Sequence, residues 1–129
     1  ILTKLIVDSF AWIEYLFATE RGHHIKNLVE DENNEIFTHI LSLAEISSRL
    51  SRSNIDPSES IKTIMSISNI INLNNEASFK TGNLHASIRK KIKDFGLIDA
   101  FILLASREMK IKILTGDSHF KNFKEVIMI

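Results

Sequence analysis

The sequence contains no cysteine, one proline, four glycines and one tryptophan. Without cysteine there is no disulfide framework, no thiolate zinc site and no cysteine nucleophile. So little proline and glycine excludes a collagen-like or low-complexity chain. No apolar run approaches the roughly 18 residues that a membrane span requires, because Lys, Asp, Glu or Asn interrupts each one. A basic start followed by an apolar segment and a small-residue cleavage site is also missing. These absences lead to the expectation of a cytoplasmic protein with no membrane contact. What is present suits a folded chain: 129 residues, 44% hydrophobic and 25% charged, are enough for one domain, expected over residues 1–129, that buries about two-thirds of its surface.

Net charge is absent too, with sixteen Lys and Arg against sixteen Asp and Glu. A neutral total argues at first against a nucleic-acid partner. It need not, because four carboxylates gathered around metal ions would leave the rest of the surface with an excess of four positive charges.

Apolar residues follow two patterns along the chain, without internal repeats. Short β-branched runs at Lys4 to Val7, Glu35 to Thr38, Ile70 to Leu73, Lys110 to Thr115 and Val126 to Ile129 predict strands. Between them, apolar residues spaced three and four apart predict helices: Phe10, Ile13 and Phe17; Leu43, Ile46 and Leu50; Ile61, Ile64 and Met65; Leu84, Ile88 and Ile92; Ile98, Ile102, Ala105 and Met109. Ser9, Ser42, Asp56 and Asn75 are the expected helix starts, the last helix of that set reaching about Lys93, and Gly22 is the expected stop of the first helix. Alternating strands and helices imply an α/β fold, a central parallel sheet of about five strands with helices on both faces. Ligands of such sheets bind beyond the carboxyl ends of the strands, where the strand order reverses.

Acids stand at such places. Leu5-Ile6-Val7 runs into Asp8-Ser9, and Ile113-Leu114 runs through Thr115-Gly116 into Asp117-Ser118. Glu45 closes Ser42-Leu43-Ala44-Glu45, and Asp99 opens the apolar helix after Gly96. Each has an ordinary explanation taken singly. Asp8 and Asp117 could cap helices, Glu45 matches a capping box with Arg49 one turn on, and Asp99 would be favoured by the helix dipole. Together they make four acids in apolar surroundings, where crowded carboxylates repel unless a cation joins them. Oxygen ligands without cysteine suit Mg²⁺ or Mn²⁺, with Ser9 and Thr115 able to hydrogen-bond the carboxylates.

The ordered set L-I-V-D-S, S-L-A-E-I, G-L-I-D-A-F-I-L-L-A-S and I-L-T-G-D-S-H-F resembles the PIN-domain ribonucleases, and within them the small VapC-like toxins of toxin–antitoxin pairs. The resemblance covers nearly the whole chain. It implies a PIN-like fold, an acidic quartet at Asp8, Glu45, Asp99 and Asp117 holding Mg²⁺ or Mn²⁺, and supporting hydroxyls at Ser9 and Thr115. It further implies metal-dependent endonucleolytic cleavage of RNA, a homodimer, and inhibition by a cognate antitoxin protein. A PIN nuclease of ordinary RNA processing and a catalytically silent interaction module are the alternatives.

Other residues read more plainly. Arg49, Arg52, Arg89 and Lys90 are candidates for RNA backbone contact, although basic residues near helix C-termini are favoured by the dipole alone. His119 is expected to cap a short turn, and His23-His24 to lie in a solvated loop. The aromatics Phe10, Trp12, Tyr15 and Phe17 exceed one core stripe, so an exposed remainder near Asp8 would suit an antitoxin segment. Helices around Ile46 to Ile67 are the expected dimer surface.

Overall fold

The structure, a computed structural model, describes residues 2–129. The β-branched runs form β1 (Thr3–Val7), β2 (Asn34–His39), β3 (Asn69–Ile71), β4 (Lys112–Thr115) and β5 (Val126–Met128). The helices are α1 (Ser9–Leu16), α2 (Glu20–Val29), α3 (Ile40–Arg52), α4 (Ser58–Ile67), α5 (Asn75–Arg89) and α6 (Leu97–Met109), with a single 3₁₀ turn at Ser118–Phe120. All strand pairings are parallel, in the order β3-β2-β1-β4-β5. The expected α/β architecture is therefore present.

Strands that are apolar throughout are buried on both faces, because parallel crossovers lay helices over each side. Leu5 and Val7 of β1, with Leu114 of β4, face a core that includes Trp12 of α1, Ile25 of α2, Ile46 and Leu50 of α3 and Ile64 of α4. Ile6 and Ile113 point the other way, toward Ala100, Ile102 and Leu103 of α6 and the aromatics Phe95, in the loop before α6, and Phe120, in the 3₁₀ turn. The alternation hidden in an all-apolar strand thus divides two cores. Trp12 is fully buried, and its indole N–H donates to Thr38 Oγ1 at 3.0 Å, which satisfies its one polar atom. The chain runs from β1 outward through β2 to β3, then returns to add β4 and β5 on the other side of β1. The strand order reverses between β1 and β4.

Several helix ends differ from the sequence expectation. Gly22 does not stop the first helix; α1 ends six residues earlier and Ala18, at φ 52°, turns the chain in the left-handed region. Thr19 then caps α2, accepting from the Gly22 N–H at 3.0 Å. A Cβ at Gly22 would lie 2.1 Å from the Glu14 carbonyl oxygen, so glycine serves the contact between α1 and α2. His23 and His24 are exposed on α2 and not in a loop. Asn74, not Asn75, caps α5, which ends at Arg89 and not near Lys93. Asp8, not Ser9, caps α1.

The Ser42 capping box is also overturned. Helix α3 starts at Ile40, with the His39 imidazole accepting from the Leu41 N–H at 3.1 Å. Ser42 lies inside the helix, buried, with no hydrogen-bond partner for its hydroxyl. Glu45 sits in the second turn, where a capping role is closed to it. Ile46 and Ile64, at the centre of the expected dimer surface, are consumed by the chain's own core, which leaves Ile55 and Met65 exposed there.

Candidate active site

The reversal between β1 and β4 places the ends of both strands side by side, and their continuations carry Asp8 and Asp117. Asp8 follows β1 directly. Its backbone N–H donates to the Leu114 carbonyl at 3.3 Å, and its Oδ1 accepts from the Ala11 N–H at 2.9 Å, so the carboxylate is held as the N-cap of α1. Its Oδ2 accepts from the Thr115 hydroxyl. Thr115 Oγ1 in turn accepts from the Asp117 N–H at 3.0 Å. One buried hydroxyl therefore locks the first acid to the loop that carries the last. Gly116 lets that loop close against α1, since a Cβ there would lie 2.4 Å from the Phe10 ring.

Asp99 stands in the first turn of α6, where the Gly96 backbone hydrogen-bonds its carboxylate. Glu45 reaches the same region from α3 and is hydrogen-bonded by Ser9. Electrostatics ties the four acids into one group. Burial pushes Asp8 up to about 7, and the charges of Asp99 and Asp117 add to this. Asp99 is raised to about 7 by burial and then by Asp117 and Glu45. Burial also raises Glu45, with Asp117 adding and the Ser9 hydrogen bond opposing. Among the described residues, no Lys or Arg forms an ion pair with any of the four. Arg49, one turn beyond Glu45, leaves it unpaired.

His119 belongs to this cluster and is not the cap expected for the short turn. The cap of the 3₁₀ turn is Asp117, whose Oδ1 accepts from the His119 N–H at 2.9 Å. The imidazole bridges two acids, with Nδ1 3.1 Å from Asp117 Oδ1 and Nε2 3.0 Å from Asp94 Oδ2. Asp94 raises the His119 pKa through that hydrogen bond, with the charges of Asp117, Asp94 and Asp99 acting in the same direction. Asp99, Asp117 and His119 offer three ligand atoms within 4.8 Å of one another. The D-S-H spacing was the available signal for His119, but Asp94 left none.

A cleft of about 270 Å³ opens beside Asp117 and Glu45, lined also by Ser9, Phe10, Ile13, Glu14, Arg49 and Arg52. Two of the four basic candidates thus reach the site. Arg89 instead donates to the Phe95 carbonyl at 3.4 Å and acts on Asp94, while Lys90 is the C-cap of α5. Of the α1 aromatics, Trp12 is core, Tyr15 donates to Glu30 at 2.7 Å, and Phe10 borders the cleft.

A parallel α/β sheet with four acids gathered near its reversal point, none paired with Lys or Arg, describes a recognised class, and the sequence pattern of the PIN domain matches residues 5–126. The chain belongs to the PIN domain family. Its backbone is similar to that of VapBC2 from Rickettsia felis, solved with a promoter DNA fragment, at 18% identity, covering 98% of each chain with a TM-score of 0.73. It is similar to VapC20 of Mycobacterium tuberculosis, a sarcin-ricin loop cleaving toxin, at 15% identity over 95% of this chain and 96% of that one, TM-score 0.75. DNA-bound VapBC from Salmonella typhimurium gives 15% identity over 98% and 97%, with a TM-score of 0.70. No curated protein matches the chain. At these identities the likeness is one of fold.

Proposed function

We propose that this protein is a divalent-metal-dependent endoribonuclease acting in the cytoplasm, the toxin of a type II toxin–antitoxin pair, held inactive by a cognate antitoxin. The observation that carries the reading is the acidic cluster: four carboxylates from separate segments converge without a Lys or Arg partner, and two have pKa values near 7. Such a set is unfavourable by itself and complementary to a hard dication. The donor chemistry therefore fits Mg²⁺ or Mn²⁺, with Asp8, Asp99 and Asp117 as the holding residues and Glu45 as the fourth oxygen donor. A dication so held supplies Lewis acidity at a phosphoryl oxygen and acidifies water.

The chain's own residues do the positioning. Thr115 keeps Asp8 and the Asp117 loop in register, and Ser9 orients Glu45. Arg49 and Arg52 flank the cleft, where guanidinium groups suit phosphodiester oxygens and align the strand. Phe10 and Ile13 give the cleft an apolar wall that suits an antitoxin segment. A second copy is assigned to the exposed remainder of α3, α4 and their connection, which sedimentation at micromolar concentration reads directly. The fold shared with VapC20 and with VapBC toxin–antitoxin complexes supports the toxin reading over ordinary RNA processing.

The test is cleavage of a labelled RNA with Mg²⁺, with Mn²⁺ and with EDTA, by the parent and by Asp117→Asn. Cleavage that needs the metal and is lost in the variant is expected. Equal cleavage by both proteins, or cleavage in EDTA, would sink the proposal. Co-expression with the product of a neighbouring small open reading frame should abolish the activity.

A further inference from the structure

A second cavity lies at the opposite edge of the sheet from the acids. It has a volume of about 500 Å³ and is lined by Ser106, Arg107, Lys110, Ile111, Lys112, Lys124 and Glu125. These come from the end of α6, the turn into β4, and the residues leading into β5. Four cations face one acid, an excess of three positive charges in a chain whose formal net charge is zero.

Helix electrostatics accounts for part of this. Arg107 is in the last turn of α6 and Lys110 is its left-handed C-cap, both where the dipole favours a cation. It does not account for Lys112 on β4 or Lys124 in the loop before β5. Nor are these charges neutralised locally. Glu125 Oε1 is taken by Arg107 Nε at 3.0 Å, and the nearby Glu108 is paired with Lys80 on α5. Lys112 Nζ donates to the Lys124 carbonyl at 2.7 Å, which fixes its ammonium at the pocket without cancelling it. Among the described residues, no carboxylate pairs with Lys110 or Lys124.

A second feature narrows the ligand. The volume falls in the range of small-molecule sites and exceeds what one phosphate group needs. The apolar stems of the lysines and Ile111 supply a wall for a ring. We propose that this pocket binds a nucleoside phosphate, with Lys110, Lys112 and Lys124 on the phosphate and the ring against Ile111. The source is either a free mononucleotide or one nucleotide of an RNA strand. The inference stands whether or not the chain cuts RNA.

The experiment uses the whole chain in EDTA, so that no cleavage intervenes. Binding of adenosine 5′-monophosphate, inorganic phosphate and a ten-nucleotide RNA is measured by calorimetry, with amide shifts of Ile111 and Lys112 locating the site. The variant is Lys110→Asn with Lys124→Gln, since Asn tolerates the left-handed conformation at 110. Lys26→Gln with Lys62→Gln, exposed lysines elsewhere, removes the same charge as a control. Thermal melts of both variants should match the parent.

A free-nucleotide site predicts that the monophosphate binds more tightly than inorganic phosphate and that the first variant, not the control, loses about tenfold or more. An RNA site predicts instead that the ten-nucleotide strand shows this loss, with its salt dependence reduced by about 0.7 per charge removed. Either result supports the pocket. Binding of both nucleotide probes that is unchanged by the first variant, or a monophosphate no tighter than inorganic phosphate together with unaltered RNA binding, overturns it. Metal-dependent RNA cleavage, tested separately, reports on the acidic edge alone.

Discussion

Replacing Asp8 by Asn separates its two roles, because Asn caps a helix about as well as Asp but carries no charge. In the metal-free protein the Asp8 pKa is about 7 against an ordinary 3.8. The native state therefore holds a proton that the unfolded chain releases between those values. Stability falls as pH rises across that window, by about 1.4 kcal/mol per unit, and levels off above pH 7. The full shift corresponds to about 4 kcal/mol at pH 8 from this residue alone. Asp8→Asn should consequently unfold at higher urea than the parent at pH 8 in EDTA, match it near pH 4, and show a shallower pH dependence, the remainder coming from Asp99 and Glu45. Adding Mg²⁺ at pH 8 should stabilise the parent strongly and the variant weakly. A variant less stable than the parent at every pH, or a parent indifferent to pH between 5 and 8, would refute the view that Asp8 is held under electrostatic strain.

Glu45→Gln should reduce RNA cleavage by orders of magnitude with unchanged helix content by circular dichroism, because Glu45 caps nothing; retained cleavage would return it to the surface. Arg49→Ala with Arg52→Ala should raise KM for RNA more than it lowers kcat and flatten the salt dependence by about 0.7 per charge, read from initial rates across a salt series. Gly22→Ala should cost about 1–3 kcal/mol in urea unfolding, as a methyl is forced against the Glu14 carbonyl.

The sheet and two of its acids were legible because the signal is local: a β-branched run ending in Asp marks the end of a strand whatever packs on it. The division of the sheet's neighbours into two cores followed from strands apolar throughout. Where tertiary contact decides, the sequence misled. S-L-A-E matches a capping box, but the chain becomes helical three residues earlier because His39 caps and Ser42 is drawn into the interior. Gly22 looks like a helix stop, yet its small size is required by a carbonyl eight residues back, and the actual break rests on a left-handed alanine with no propensity signal. Asp94 and His119 meet across 25 residues, a pairing that no local pattern contains. The basic residues divided for the same reason, since Arg49 and Arg52 share the exposed side of α3 near Glu45 while Arg89 is taken up by a loop carbonyl.

The hydroxyl link between Asp8 and the Asp117 loop spans 107 residues of sequence. It exists only once β4 has inserted beside β1, the last inner strand of the sheet to be synthesised. A growing polypeptide on the ribosome therefore carries Asp8 and Glu45 long before it carries a site, since the segment bearing their partners is still in the exit tunnel. Domains fold as units once their closing elements emerge. Under the proposed function, an activity directed at the RNA of the cell that makes it, that order of assembly would keep the translation machinery out of reach of its own unfinished product.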